Sequence, residues 1–141
     1  MFTREQINMK TILEYLAQDV KTVQFIIHKH DPRNGSLHYD LRFLDAHDNS
    51  RLHSFAFQSD FIETLNDNKP CLGVKTKDHD PRWLTLKSYR LTDIDKGLCD
   101  IRMSTSKYFN IEFKGKILKG VYKIFKVKTG RGDNWILSRM K

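Results

Sequence analysis

The sequence predicts a single, mainly β domain: a small closed or partly closed antiparallel β-barrel with an N-terminal α-helix. Short apolar segments recur between turn signals throughout residues 22–141, at a spacing typical of a β-rich sheet or barrel. Helical periodicity is strong in residues 1–20. At 141 residues the chain is long enough for one domain with a real core and too short for two.

Two helices are predicted. In the first, residues 1–20, Thr3 followed by Gln6 resembles a capping box. Apolar side chains then repeat along one helical face, at Ile7, Leu13, Leu16 and Val20. The second is a short helix over residues 59–65, with Ser59 as its N-cap.

The strands are predicted from short apolar runs bounded by Gly, Pro, Asn, Asp and Ser. They fall at residues 22–29, 38–44, 51–57, 71–76, 83–91, 98–103, 108–113, 116–127 and 134–140. The first two runs are separated by a loop that begins Asp31-Pro32 and contains Gly35, which favours a tight turn. We therefore expect these two strands to form an antiparallel hairpin.

Residues 37–43 alternate strictly between polar and apolar side chains. Because successive residues of a strand point to opposite faces, His38, Asp40 and Arg42 share one face, and the apolar residues share the other. At about 3.3 Å per residue, His38 and Asp40 are near enough to bind one divalent metal ion. Arg42 extends further along the same face, where its guanidinium can bind a phosphate.

The hairpin adds a second histidine to this face. His30 leaves the first strand beside the point where His38 enters the second, so that two imidazoles and the Asp40 carboxylate can converge. Such a set suits Mn²⁺, Zn²⁺ or Fe²⁺, and further oxygen ligands from water or phosphate would favour Mn²⁺. His28 lies on the same face and is a weaker candidate ligand.

The tetrapeptide His-Asp-Pro-Arg occurs at His30 and again at His79. In both places Asp-Pro starts a turn and fixes the direction of the preceding histidine. His79 is therefore a candidate for a second contact in the site.

The net charge of +8 favours an anionic partner such as nucleic acid. Lysines are densest in residues 114–128, where they alternate with apolar residues. Cys71 and Cys99 have neither the spacing of a metal site nor that of a disulfide framework, which fits a reducing compartment. No secretory signal or membrane-spanning stretch is recognisable, so we expect an intracellular protein, cytoplasmic or associated with nucleoid or nucleus, and a monomer by default.

The run from Phe25 to His30, followed by Leu37 to Arg42, resembles the signature of the 3′-phosphoesterase domain of bacterial DNA ligase D and its stand-alone relatives. In that family an apolar strand ends in Gln-Lys-His, and a loop leads to Leu-His-Tyr-Asp-Phe-Arg. Asp78-His79 and the closing segments 118–120 and 134–137 are also similar, so the resemblance covers roughly residues 22–141.

The resemblance implies a small β-barrel and a manganese-dependent enzyme that processes the 3′ ends of DNA or RNA-terminated strands. Such an enzyme removes a terminal ribonucleoside and then the remaining 3′-phosphate. His30, His38 and Asp40 match the metal ligands, and Arg42 and His79 match the contacts to the scissile phosphate, with His79 also a candidate general acid. A ligase or polymerase on a separate chain is a candidate partner.

This chain departs from the family pattern at several positions. The loop between His30 and His38 is two residues longer, Trp83 stands where the family has a functional tyrosine, and Cys71 replaces an arginine. Lys69 or Lys75 would have to supply the missing positive charge, and we assign Lys75 as a phosphate-binding residue.

Two readings other than an enzyme therefore stay open. One is a non-catalytic module that binds nucleic-acid ends through a degenerate phosphoesterase site. The other is a basic β-barrel adaptor for a ligase or polymerase.

Overall fold

The computed structural model describes residues 20–128 and 133–140. Within these residues eight strands form the fold: β1 (Lys21–His30), β2 (His38–Leu44), β3 (Leu52–Phe57), β4 (Cys71–Lys75), β5 (Leu91–Ser104), β6 (Tyr108–Lys114), β7 (Lys119–Lys126) and β8 (Asn134–Arg139). One short helix, α1 (Phe61–Asn66), and a 3-10 helix (Pro81–Leu84) complete it. The predicted N-terminal helix, residues 1–20, lies outside the described residues except for Val20, which is not helical.

The strands close into an antiparallel barrel in the order β1-β2-β3-β4-β8-β7-β6-β5, with β5 paired back to β1. The mainly β class and the barrel are thus confirmed. Closure pairs every strand on both sides, which leaves none of these strands with an open edge. None of the helices in the described ranges is long and apolar enough to span a membrane.

The core fills the inside of the barrel. Phe25, Ile27, Leu41 and Phe43 of the first hairpin are at most 1% exposed and belong to one apolar cluster with residues from every other strand. Aromatic rings meet edge-on across it, as with Phe43 and Phe109, whose centroids lie 5.2 Å apart. The alternation predicted for residues 37–43 therefore holds, with the apolar side chains turned inward.

A buried carboxylate holds the turn between β6 and β7. Asp95, only 6% exposed, accepts hydrogen bonds from the backbone N–H groups of Lys116, Ile117 and Leu118 at 2.8–2.9 Å. These bonds satisfy donors that the turn would otherwise leave unpaired. They also explain why β7 begins at Lys119 and not at residue 116, as the apolar pattern had predicted.

Two further predictions of local structure need correction. The short helix exists but starts at Phe61, with Asp60 rather than Ser59 at its N-cap. The strand predicted over residues 83–91 begins only at Leu91, the first residue of β5, and residues 85–90 form bends and turns with one isolated bridge at Ser88. Residues 83–84 end the 3-10 helix, in which Asp80 caps the start by accepting from the Arg82 N–H and Pro81 takes the first position. Proline lacks the N–H that a strand ladder needs but is well tolerated in a first helical turn.

The 3-10 helix lies against the outer face of the barrel. It contacts both β1 and β2, and the backbone of His79, just before it, pairs with Leu52 at the start of β3. This segment therefore covers the outward-facing side chains of the first three strands, where the candidate site lies.

Candidate metal centre

The site is built on the hairpin of β1 and β2. In its antiparallel register, His30 pairs with His38, and His28 pairs with Asp40. Residues paired in this way point to the same face of a sheet. The predicted hairpin therefore brings the side chains of all four residues together on the outside of the barrel.

Three ligand atoms of this group form a small triangle. His30 Nδ1 lies 3.2 Å from His38 Nε2 and 3.5 Å from Asp40 Oδ2, and His38 Nε2 lies 3.3 Å from the same Asp40 oxygen. A divalent ion bonded at about 2.1 Å to three ligands of a tetrahedral or octahedral set would separate them by about 3.0–3.4 Å. The triangle thus has the size that a single ion requires.

The chemistry of the three donors also fits an ion. His38 Nδ1 lies 3.0 Å from the carbonyl oxygen of Ser36, to which it donates when the ring is neutral. The proton then resides on Nδ1, and Nε2 is left with a lone pair directed toward Asp40. Burial lowers the pKa of His30, an effect partly opposed by Asp40, and this favours the neutral form that binds metals.

Arg42 extends the group along the same face. Its side chain is only 3% exposed. The guanidinium donates from Nη2 to Asp40 Oδ2 at 3.2 Å and from Nη1 to His28 Nδ1 at 2.8 Å. Its carbon Cζ also lies 4.7 Å from the centre of the Trp83 ring, a cation–π distance. Arg42 is therefore held on three sides beside the predicted metal ligands.

His28 is not placed among the ligands; it contacts Arg42 instead. Because arginine can only donate, His28 Nδ1 must accept, and the ring proton lies on Nε2. That atom faces Asp93 Oδ1 on β5 at 3.3 Å. Burial and the nearby Arg42 lower the pKa of His28, against the opposing effect of Asp93, so the ring stays neutral.

His79 joins the same face from the segment that covers it. Its Nδ1 lies 2.9 Å from the hydroxyl of Ser54, and Ser54 is paired with Arg42 in the register of β2 and β3. Its ring meets Trp83 edge-on at 4.7 Å. Burial and Arg42 lower the pKa of His79, which favours a neutral ring at neutral pH.

Lys75 is not brought to this group. Its ammonium lies 3.0 Å from Asp78 and 5.9 Å from the centre of the Phe55 ring. Lys75 is paired with Phe55, an inward-facing core residue, so it lies on the other face of the sheet from Asp40. We therefore leave Lys75 out of the proposed phosphate contacts, which corrects the expectation from sequence.

Cys71 also lies away from the site. It is 4% exposed in the barrel core, and burial raises the pKa of its thiol to about 12. A buried thiol with a raised pKa is unreactive at neutral pH.

The lysine-rich segment is remote from the hairpin. Lys119, Lys123 and Lys126 belong to β7, which lies directly across the barrel from β2 in the closed strand order. The segment covering the site carries other cations, and the side chains of Arg82 and Lys87 are 87% and 75% exposed.

Sequence reasoning missed two residues that organise the site, Ser54 and Asp93, and the orienting role of His28. Ser54 and Asp93 lie on strands other than the hairpin, and no local motif marks them. In comparisons with known proteins, no protein-family model and no curated protein matches the chain.

Proposed function

We propose that this protein is a metal-dependent phosphoesterase that processes the 3′ ends of DNA or RNA-terminated strands, removing a terminal ribonucleoside, a 3′-phosphate or both. One observation carries the proposal: a His/His/Asp triangle of the size that one divalent ion requires lies directly beside a buried arginine. A cation site next to a guanidinium suits a substrate with a phosphate at its reacting centre.

The three ligands would be His30, His38 and Asp40, and Mn²⁺ is the preferred ion, with Zn²⁺ or another divalent metal as alternatives. A bound ion would polarise a phosphoryl oxygen and lower the pKa of a water molecule. That water would attack phosphorus while the bond to the leaving oxygen breaks. Ser36 supports this arrangement because its carbonyl fixes the His38 tautomer.

Arg42 is placed to neutralise charge that develops on the phosphoryl oxygens. Its position is already set by Asp40 and His28, so little reorganisation is needed when a phosphate binds. His79 would provide the second phosphate contact. Its lowered pKa means that a role as general acid requires the bound phosphate anion to favour the protonated ring.

A non-catalytic module that binds strand ends is the alternative, and Trp83 is the observation that favours it. The indole lies over Arg42 and against His79. It lacks a hydroxyl for proton transfer. In this reading the site still binds a terminal phosphate but does not release it.

The test is phosphate release and strand shortening from a labelled primer-template that ends in either a 3′-phosphate or one ribonucleotide. Reactions contain Mn²⁺, Mg²⁺, Zn²⁺ or EDTA. The proposal expects metal-dependent turnover that is lost in His38→Ala and kept in His47→Ala, a change at an exposed histidine. Salt-dependent binding without turnover would instead establish the end-binding module.

A further inference from the structure

A cavity of about 720 Å³ opens on the outer face of the barrel beside the predicted metal ligands. His38 forms part of its wall, together with the loop that connects β1 to β2. Its other wall is formed by β4, where Leu72 and Val74 are 55% and 45% exposed. Its size falls within the range of small-molecule sites, which is about 300–1,000 Å³.

The sheet register links this cavity to the site. Across the outer face, His28 pairs with Asp40, Asp40 with Ala56, and Ala56 with Val74. Neighbouring strands are about 4.8 Å apart, which puts Val74 about 10 Å from Asp40. Ala56 between them carries only a methyl group, so the row leaves open space between the ligands and the apolar wall.

The lining is uncharged. Charged residues make up 30% of the sequence, yet none of the described residues that line the cavity is Lys, Arg, Asp or Glu. Amides and hydroxyls occur instead, at Asn34, Ser36, Gln58 and Ser59. A flat apolar wall with neutral hydrogen-bonding groups suits an uncharged, partly aromatic group that is attached to the phosphate at the metal.

We infer that this cavity binds the terminal nucleoside of the strand, on the leaving-group side of the scissile phosphate, an inference that rests on the proposed function. A terminal nucleoside carries one phosphate, at the metal site. A nucleoside within the strand brings a second phosphate, which a neutral lining would leave unpaired. The lining therefore fits a strand end better than a continuing strand.

The loop between His30 and His38 both lines this cavity and orients a predicted metal ligand. Asn34, Gly35 and Ser36 of that loop all face it. Ser36 also accepts the hydrogen bond that orients His38. The longer loop thus connects recognition of the nucleoside with placement of a metal ligand.

The test compares strands that end in a complete ribonucleoside with strands that end in an abasic ribose. We expect wild type to remove the complete ribonucleoside at least tenfold faster, as kcat/KM. In Val74→Trp, where an indole occupies the cavity, this discrimination should fall below about twofold. Leu72→Trp provides a second change on the same wall, and Leu98→Trp, at a half-exposed position on β5, is the matched control.

Release of phosphate from a strand that ends in a 3′-phosphate serves as the internal reference. Two outcomes would overturn the nucleoside site and leave the phosphoesterase standing. In the first, the protein releases phosphate from this strand but does not prefer the complete ribonucleoside over the abasic ribose. In the second, it has that preference, and the preference is unchanged in both wall variants. Without turnover on any strand, the readout is the affinity for strands labelled at the 5′ end, measured by fluorescence anisotropy. Tighter binding of the complete end than of the abasic end, lost in Val74→Trp, then supports the nucleoside site and rejects the enzyme, and equal binding of the two ends rejects both.

Discussion

His28 and Arg42 are joined by a hydrogen bond of 2.8 Å between the imidazole Nδ1 and the guanidinium Nη1, both buried on the outer face of the barrel. The bond requires a neutral ring with its proton on Nε2, facing Asp93. A chain of contacts therefore runs from Asp93 through His28 and Arg42 to Asp40. These contacts hold the Arg42 guanidinium in one position.

His28→Ala should weaken this arrangement without removing a metal ligand. Arg42 would keep Asp40 but lose the acceptor for Nη1, leaving a buried donor unpaired at a cost of about 1–3 kcal/mol. We expect kcat/KM to fall about tenfold, while Mn²⁺ affinity stays within about twofold of wild type. His28→Gln, whose amide oxygen can accept the same bond, should recover most of the loss. Equal losses in both variants would contradict an orienting role.

Asp40→Asn should remove metal binding. The amide replaces the anionic oxygen at one corner of the ligand triangle, and Mn²⁺ affinity measured by titration calorimetry should fall about 100-fold or more. Asp67→Asn, at an exposed carboxylate after α1, is the control and should bind as wild type. Binding that survives in Asp40→Asn would mean that the ion lies elsewhere.

Trp83 should support Arg42 and His79 if the protein is the proposed enzyme. Trp83→Ala removes the ring that lies over Arg42 and against His79. Cation–π contacts contribute about 0.5–2 kcal/mol, so we expect roughly tenfold lower kcat/KM for the variant. Trp83→Tyr keeps an aromatic ring and should match or exceed wild type, and Tyr89→Ala, at an 88% exposed ring, is the control. Higher activity in Trp83→Ala would show that the indole obstructs the site.

Folding stability of the metal-free protein should decrease in mild acid. Burial is the leading cause that lowers the pKa of four histidines below the ordinary value of 6.5, at His28, His30, His53 and His79. Below pH 6.5 the unfolded chain therefore binds more protons than the folded one. The free energy of unfolding should decrease as the pH is lowered.

Urea unfolding in EDTA between about pH 7.5 and pH 5 measures this loss. His53→Gln removes one of the buried rings and should show a shallower slope. A free energy of unfolding that stays level across the range would argue against neutral buried histidines.

Asp95 should matter for stability alone. Asp95→Asn replaces one of the carboxylate oxygens that accept from the backbone of the β6–β7 turn with a donor. Charge-assisted bonds of this kind contribute about 1.5–3 kcal/mol each, so we expect a loss of about 3 kcal/mol in urea unfolding. Metal affinity at a permissive temperature should not change. A drop in metal affinity without loss of stability would contradict this assignment.

The hairpin and the clustering of its candidate ligands were predictable because their information is local. Period-two alternation fixes which side chains share a face, and a loop rich in turn residues fixes which strands pair. His30, His38 and Asp40 follow from these two facts alone. The same reasoning placed Leu41 and Phe43 in the core.

The remainder of the site depends on contacts between distant parts of the chain. Asp93 reaches His28 only because β5 pairs with β1, and Ser54 reaches His79 only because the covering segment returns to β3. No spacing in the sequence encodes either contact. The position of Lys75 was not predictable for a related reason. Its face of the sheet depends on the register of a strand pair that the sequence does not specify.

The two sides of the hairpin have separate tasks. Phe25, Leu41 and Phe43 on the inside pack the core, whereas His30 and Asp40 on the outside belong to the group that could hold a metal ion. New ligand sets could therefore be installed on the outer side while the interior stays unchanged, provided that the buried partners Asp40 and Arg42 are exchanged together. The barrel is in this sense a scaffold for redesign, in which a change of metal or substrate need not require a new core.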